Sequence, residues 1–384
     1  LLAAGLIASY AASVPAATIT VTSSDAVGQG TLSKAIFDAQ PGDTIDFNLA
    51  YPATIRFTFG LTLNKNLTIA GPGRDKLTLD GNLSDQFFML TITSGTTVTL
   101  SNVQIANANA LAINNQGTLT LNDSLVSRND GSVNNTGTFT ANDTVFTYNV
   151  GANWGGAVVN RGNAMVNRCS FMHNDARIGG AAIFTDTGAT LVVHDSAFLS
   201  NESGFGEPGS GGALLNWGTA TVNNSTFNGN ISANNGTGGA MENKQGTLTV
   251  NNSTLSGNIA TSGSGISNYG TTTVRRTILD GSCVGDAMVS AGDNMSSAGS
   301  CLAASVALND SPNIDLRLDA LGDNGGPTLT VALLPGSPAI DAVIVNAAGC
   351  SGSDQRGVAR PMGVRCDIGA YELDSDRIFA DGFD

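Results

Sequence analysis

Four side chains share one slot of a recurring corner phrase: Arg161 follows Asn160, Trp217 follows Asn216, Lys244 follows Asn243 and Tyr269 follows Asn268. A surface column that mixes cations with aromatic rings has the chemistry to hold an acidic glycan, since rings stack on sugar faces and cations pair with carboxylates. Trp154 is a further ring able to stack on sugar. Turning a glycan over demands more. Hydrolysis requires two carboxylates roughly 5 to 9.5 Å apart across one groove, and metal-assisted elimination requires clustered Asp with Lys or Arg as base. Carboxylates in the middle of the chain are few: Asp123, Asp143, Asp175, Asp186, Asp195, Glu202, Glu207, Glu242 and Asp280. Asp143 and Asp195 fall two repeats apart, but Arg168 holds the same place between them. That pattern reads as a salt-bridge ladder, worth little per pair if exposed. Arg275, Arg276 and Asp280 read as a solvated edge near the end of the repeats. No catalytic residue is assigned on this basis. Two histidines and no CxxC offer no transition-metal site, and neither metal nor cofactor is expected.

A repeat must position these residues. The phrase VNRCSFMHN (166–174) returns as VHDSAFLSN (193–201), VNNSTFNGN (222–230) and VNNSTLSGN (250–258), with looser copies at 121–129 and 141–149. Its small residue falls at Ser124, Thr144, Cys169, Ser196, Ser225, Ser253 and Thr277, spaced 20 to 29 residues apart. Such spacing marks a solenoid rather than a globular domain. Apolar alternation on both sides of an Asn-rich break, as at Leu248, Val250, Ser253 and Leu255, means two short strands. Asn, Gly and Asp supply the bends because they tolerate left-handed backbone. A third side follows in GGAVVNRG (155–162), GGALLNWG (211–218) and GGAMENKQG (238–246).

Three short strands in about 25 residues cannot bury an apolar face alone, so successive coils must stack at about 4.8 Å. Stacking predicts inward ladders of Leu119, Phe139, Leu191 and Leu248; of Val126, Phe146, Phe171, Phe198, Phe227, Leu255 and Leu279; and of Val158, Leu214, Met241 and Ile266. An asparagine column through Asn160, Asn216, Asn243 and Asn268 would bond from coil to coil. The paired FxxN phrases (146–149, 171–174, 198–201, 227–230) and GGA[VLM] phrases resemble the repeats of polymorphic outer-membrane proteins. That resemblance implies an all-β chain folded as a single-stranded right-handed parallel β-helix, a fold shared by adhesins and many surface proteins.

At the start of the coils Thr31 is placed to cap a short helix with Leu32, Ala35, Ile36 and Ala39 on one face, stopped by Pro41-Gly42. It would cover the open strand edge of the first coil. The surrounding GTLSKAIFDAQPGDTIDF (30–47) resembles the CSLREAI motif that precedes such helices. Cys283 with Cys301, and Cys350 with Cys366, suit two local disulfides of an oxidising compartment, each stabilising by about 3 kcal/mol in a loop-closure model. Cys169 lies in the small-residue column and reads as a buried free thiol. NGGPTLTVALLPGSPAIDA (324–342), DQRGVARP (354–361) and CDIGAYE (366–372) resemble the choice-of-anchor Q domain, which implies a secreted or surface β-helix family. Leu329, Val331, Leu333 and Ile340 would cover the last coil, with Arg356 pairing Asp341 or Asp367.

Composition agrees with a many-cornered coil: 48 Gly, 41% apolar and only 12% charged residues. A net charge of −14 speaks against nucleic acid and against an anionic membrane surface. Residues 1–17 are apolar and end in small residues, as a secretory signal truncated at its start would, with cleavage near Ala16 or Ala17. No later run reaches the length of a membrane span. The enlarged corner at 203–212 is the place for a binding excursion. The acidic tail 374–384, with Ile378, Phe379 and Phe383, resembles a short tail recurring on secreted proteins of some Gram-negative bacteria and reads as a sorting tag. The plan is therefore a signal (1–17), an N-terminal cap with the first coil (18–60), the β-helix (61–282), a disulfide-bonded irregular C-terminal cap (283–373) and the tail. The expected role is a secreted or cell-surface structural and adhesive module that meets a polysaccharide or a host or cell-surface protein. The alternative is a polysaccharide lyase or glycoside hydrolase on the same scaffold.

Overall fold

The computed structural model describes residues 16–83, 87–302, 309–344 and 350–374. The expected leader, save its last two residues, and the acidic tail, save Asp374, lie outside them. Within these residues the chain winds as a right-handed parallel β-helix. One coil illustrates the rest: Val158–Asn160 lies on the first face, Asn163–Asn167 on the second and Ser170–Met172 on the third. The next coil sets Ile183–Thr185, Thr190–His194 and Ala197–Leu199 beside them in register. Eleven strands stack on the third face. The sequence reading gave each coil three strands, and the middle coils have a fourth. Val150–Gly151, Asp175–Ala176, Glu202–Ser203, Ile231–Thr237 and Ile259–Ser262 form a five-stranded sheet at the corner between the third and first faces. A two-residue strand has too little alternation to register as a period.

The predicted inward columns form. Val126, Phe146, Phe171, Phe198, Phe227, Leu255 and Leu279 pair in unbroken register. The four phenyl rings stack nearly parallel, with centroids 4.7, 4.8 and 4.3 Å apart. Two polar ladders run with them. Asn129, Asn149, Asn174, Asn201, Asn230 and Asn258 pass amide N–H to the next Oδ1 at 2.8 to 3.0 Å. The expected corner column does likewise from Asn115 through Asn135 to Asn160, and from Asn216 through Asn243 to Asn268. Thr185 interrupts it. The bends are backbone-driven: Asp123, Asp143, Arg168, Asp195, Asn224 and Asn252 all sit at φ between 45 and 52° at one corner. In that region Asn and Asp are strained least among residues with a Cβ.

The ends are closed by different devices. Leu32–Asp38 forms the helix expected there, Thr31 accepting from the Lys34 N–H, and Leu32, Ala35 and Ile36 join the interior core. At the far end the Cys283–Cys301 disulfide forms, and Cys301 and Leu302 complete that core. Cys350 pairs with Cys366 as expected. Cys169 is the buried free thiol, its Sγ facing the carbonyls of Ala141 and Asn167. Burial pushes that thiol up to about 12, which keeps it unreactive.

The described segments 309–344 and 350–374 do more than close the last coil: Ser311 bridges Met295 as one further rung of the third face. Later residues run back along the outside of that face. Thr328 donates to the Asp195 carbonyl, Thr226 donates to Gln355 Oε1 at 2.7 Å, and the Ala370 and Gly369 N–H groups donate to Thr254 Oγ1 and the Arg276 carbonyl. Val331 and Leu333 are buried, and Leu333 packs in a second core with Ile278, Leu316, Ile368 and Tyr371. The side-chain contacts span 116 to 133 residues of sequence, which local patterning cannot reveal. Arg356 pairs with neither Asp341 nor Asp367. It bonds Asp354 at 2.7 Å and lies 3.7 Å from the Tyr371 ring centre.

Two predictions follow from this packing. Phe171→Ala opens the phenyl stack and costs about 3–5 kcal/mol, read as a lower urea midpoint, whereas exposed Tyr148→Ala stays within about 0.5 kcal/mol. Burial, ahead of its backbone hydrogen bonds, raises Asp367 from 3.8 to about 7. The native state therefore holds a proton that the unfolded chain has lost across that window, so stability is greatest at its acid end and falls as pH rises through it. Amide exchange at Gly369 and Ala370, corrected for intrinsic rate, reads this as weaker protection above the window than below it.

Candidate functional site

A second layer lies outside the first face. After each fourth strand the chain crosses back through a glycine-bearing turn, and Gly155, Gly180, Gly211, Gly238 and Gly263 adopt φ of 59 to 68°. A Cβ at Gly155 would strike the Val158 carbonyl, so glycine at the head of the GGA phrase lets this loop fold flat on the strand. Trp154, Gly179, Ser210 and Thr237 bridge from loop to loop. Beneath them the outward residues Phe184, Leu215, Glu242 and Ser267 are buried.

Where the layer begins, a groove of about 570 Å³ opens beside it. Trp154 forms one wall, Asn109 and Asp130 face it from earlier coils, and Asn134, Asn153 and Arg161 complete the polar lining. Trp154 stacks on Phe184 at 5.4 Å and meets the edge of Trp217 at 5.7 Å. Trp217 in turn stands edge-on to Phe184 at 5.0 Å. The indole of Trp154 is thus held by an aromatic cluster and needs little ordering when a ring stacks on it. The guanidinium of Arg161 donates to Asn134 Oδ1 at 2.6 Å and lies 3.3 Å from the Asp186 carboxylate. It presents a polar, charge-balanced floor.

The four residues of the expected column divide. Arg161 is exposed at the groove, and Asp186 follows it in the next coil. Trp217 is half-buried as a brace for Trp154. Lys244 and Tyr269 are exposed and pair in register farther along. Asn109, Asp130 and Asn153, in corners, and Asn134, outward on the strand Val133–Asn135, carried no sequence signal.

The carboxylates also sort themselves. Arg168 makes a two-pronged bond to Asp143, at 2.8 and 2.6 Å, which raises its guanidinium further. Asp195 bonds Asn224, lies under the lateral segment and is raised by burial. Arg276 is no solvated edge: it is buried beneath Gly369, with Asp293 3.8 Å away. Glu242 is buried too, accepting from Ser210 and Thr237 at 2.6 and 2.8 Å. Asp175 and Glu202, however, are exposed and paired in register on adjacent fourth strands. Burial and the neighbouring Glu202 raise Asp175, and the exposed Tyr148–His173 stack stands beside them. Among the described residues no three His, Cys, Asp or Glu come together as metal ligands.

Solved structures resemble this chain. The crystal structure of pectate lyase Pel9A superposes with a TM-score of 0.59 over 93% of this chain and 96% of that one, at 17% identity. ORF18 of Geobacillus virus E2 matches over 77% of this chain and 60% of that one, with a TM-score of 0.38 and 13% identity. No protein-family model and no curated protein matches the chain. What the pectate lyase likeness establishes is the parallel β-helix itself.

The brace and the free ring differ in their cost of removal. Trp217→Ala should destabilise by about 2 kcal/mol through loss of the aromatic cluster, and Tyr269→Ala by less than about 0.5 kcal/mol. Matched urea titrations compare them.

Proposed function

We propose that the protein is an extracytoplasmic β-helix that holds polysaccharide in the groove under Trp154. The observation that carries this reading is one braced, partly exposed indole over a polar floor of Asn134, Asn153, Asp130 and Arg161. An indole beside amides and a balanced ion pair suits a sugar ring, which offers a C–H face and a rim of hydroxyls. The two disulfides support an oxidising compartment, hence a secreted or cell-surface location. No helix of the described residues is long and apolar enough to cross a membrane. The phrases 324–342, 354–361 and 366–372 support membership of the choice-of-anchor Q group, and a structural or adhesive role follows from a rigid rod with one specific groove. The Lys244–Tyr269 pair extends the same surface column and adds a second contact for a long chain.

A second reading rests on Asp175 and Glu202. Adjacent strands stand about 4.8 Å apart, close to the separation of about 5–5.5 Å used by retaining glycoside hydrolases. The raised Asp175 has the character of the acid and Glu202 that of the nucleophile.

Retention on a panel of immobilised polysaccharides separates the two. Trp154→Ala should weaken retention at least tenfold, about 1.4 kcal/mol, with no reducing ends released by either form. Release of reducing ends that Glu202→Gln abolishes would replace binding with hydrolysis.

A further inference from the structure

Among the described residues, two of the three faces are covered on their outside and one is bare. Glycine loops cover the first face from Trp154 onward, and the described segments 309–344 and 350–374 cover the third from Asp195 onward. The second face carries threonine in two parallel rows. One runs through Thr97, Thr118 and Thr138 and resumes at Thr190, Thr219, Thr247 and Thr271. The other, two residues along each strand, runs through Thr99, Thr120 and Thr140 and resumes at Thr221, Thr249 and Thr273. Asn163 and Met165 interrupt both rows, and Val192 beside Thr190 interrupts the second alone.

From Thr97 to Thr273 neither row holds a charged side chain, in a chain of net charge −14. Nor does either hold an aromatic ring, which a sugar chain would stack on. Within this span Thr190, donating to Asn163 at 2.7 Å, is the only row hydroxyl bonded to another side chain among the described residues. The others are exposed or half-buried and face solvent. Threonine is restricted at χ1, so the rows present methyl and hydroxyl groups on a fixed net. Its repeat is about 4.8 Å along the axis and about 6.7 Å across, two residues of strand. An uncharged, rigid, two-dimensional net fits an uncharged, periodic solid.

Hexagonal ice has oxygen rows whose repeats lie close to both dimensions. Waters bridging the hydroxyls, and packed over the methyls, can join the hydrogen-bond net of the crystal. We propose that the threonine face binds ice. Each contact is weak, and rigidity makes them add, because the coils lose no conformational freedom on binding. Met165, 41% exposed, stands out of the plane and divides the net into two arrays of three coils. This face lies apart from the groove, so the proposal does not rest on the glycan reading.

The test is ice-affinity partition of the full chain, measured as the fraction of protein taken into a slowly grown ice front, together with inhibition of ice recrystallisation. The expected result is enrichment in ice. Thr120→Tyr with Thr249→Tyr, one ring on each array, should cut that enrichment at least tenfold with the unfolding transition intact. Met165→Thr with Val192→Thr, which joins the arrays, should raise it. Exclusion of the native chain from ice overturns the proposal, as does equal uptake of the tyrosine variant. Tyrosine-sensitive retention on crystalline cellulose or chitin without ice uptake overturns it in favour of a polysaccharide lattice. Tyrosine-sensitive dimerisation in sedimentation overturns it in favour of a second copy. Retention on soluble polysaccharides, scored on the same preparations, keeps the fate of the groove separate.

Discussion

Main-chain amides in this protein are satisfied across coils, not within them. A strand of three or five residues has no partner in its own turn, so each N–H and C=O depends on the coil before and after. Side chains must then repeat as well, because whatever stands at one position faces its counterpart about 4.8 Å away. Phenyl on phenyl satisfies that demand through offset stacking. Asparagine on asparagine satisfies it because each amide is both donor and acceptor. A wholly buried amide is costly when alone, yet Asn174 gives its N–H groups to Asn201 and to the Phe146 carbonyl while accepting from Asn149. The ladder removes the cost at every coil except the last, which explains why both ends are closed by something other than a coil. The Leu32–Asp38 helix and the Cys283–Cys301 loop are those closures.

The same dependence leaves the outer surfaces of the strands unprotected, and the chain treats the three faces differently. Loops built on the glycine-bearing turns reach back over the first face because those glycines take positive φ against a strand carbonyl. The third face is covered by a distant segment whose interior joins an apolar cluster to a buried ionic network. Arg360 meets Glu372 at 2.8 Å in a site where burial lowers the arginine and raises both Glu372 and Asp367. Such a network stands only while each charge keeps its partner, so the lateral segment is held by registry as much as by apolar contact.

What could be read from sequence follows from these same facts. The inward columns were legible because stacking forces repetition, and Val126 through Leu279 align by their place in the repeated phrase alone. The helix was legible because Thr31 and the spacing of Leu32, Ala35 and Ile36 are local. The disulfides were legible because their partners lie 18 and 16 residues apart. The fourth strand was not, since Asp175–Ala176 is too short to show a period. The lateral position of the segment around Gln355 was not, since Thr226 and Gln355 meet across 129 residues. The groove followed suit: its indole was visible as a ring, but its polar lining takes meaning only from the missing layer beside it. Trp217 looked like Tyr269 in the alignment of corners, and packing against Phe184 set them apart.

A solenoid makes two kinds of surface, and they suit different partners. Where coils are equivalent, every position is presented again and again, so the surface can recognise only something that repeats with it. The threonine rows are such a surface. Where equivalence fails, a single shape appears once, and only there can a discrete ring or chain segment be singled out. The first loop of the outer layer is such a failure, because Asn134 lies open on one side of the step and Phe184 lies buried on the other. Trp154 stands on that step. Its position follows from the onset of the GGA phrase, one coil after the plain corner at Asn129. The groove is therefore a product of where the layer starts, and moving that start by one coil would move the groove with it.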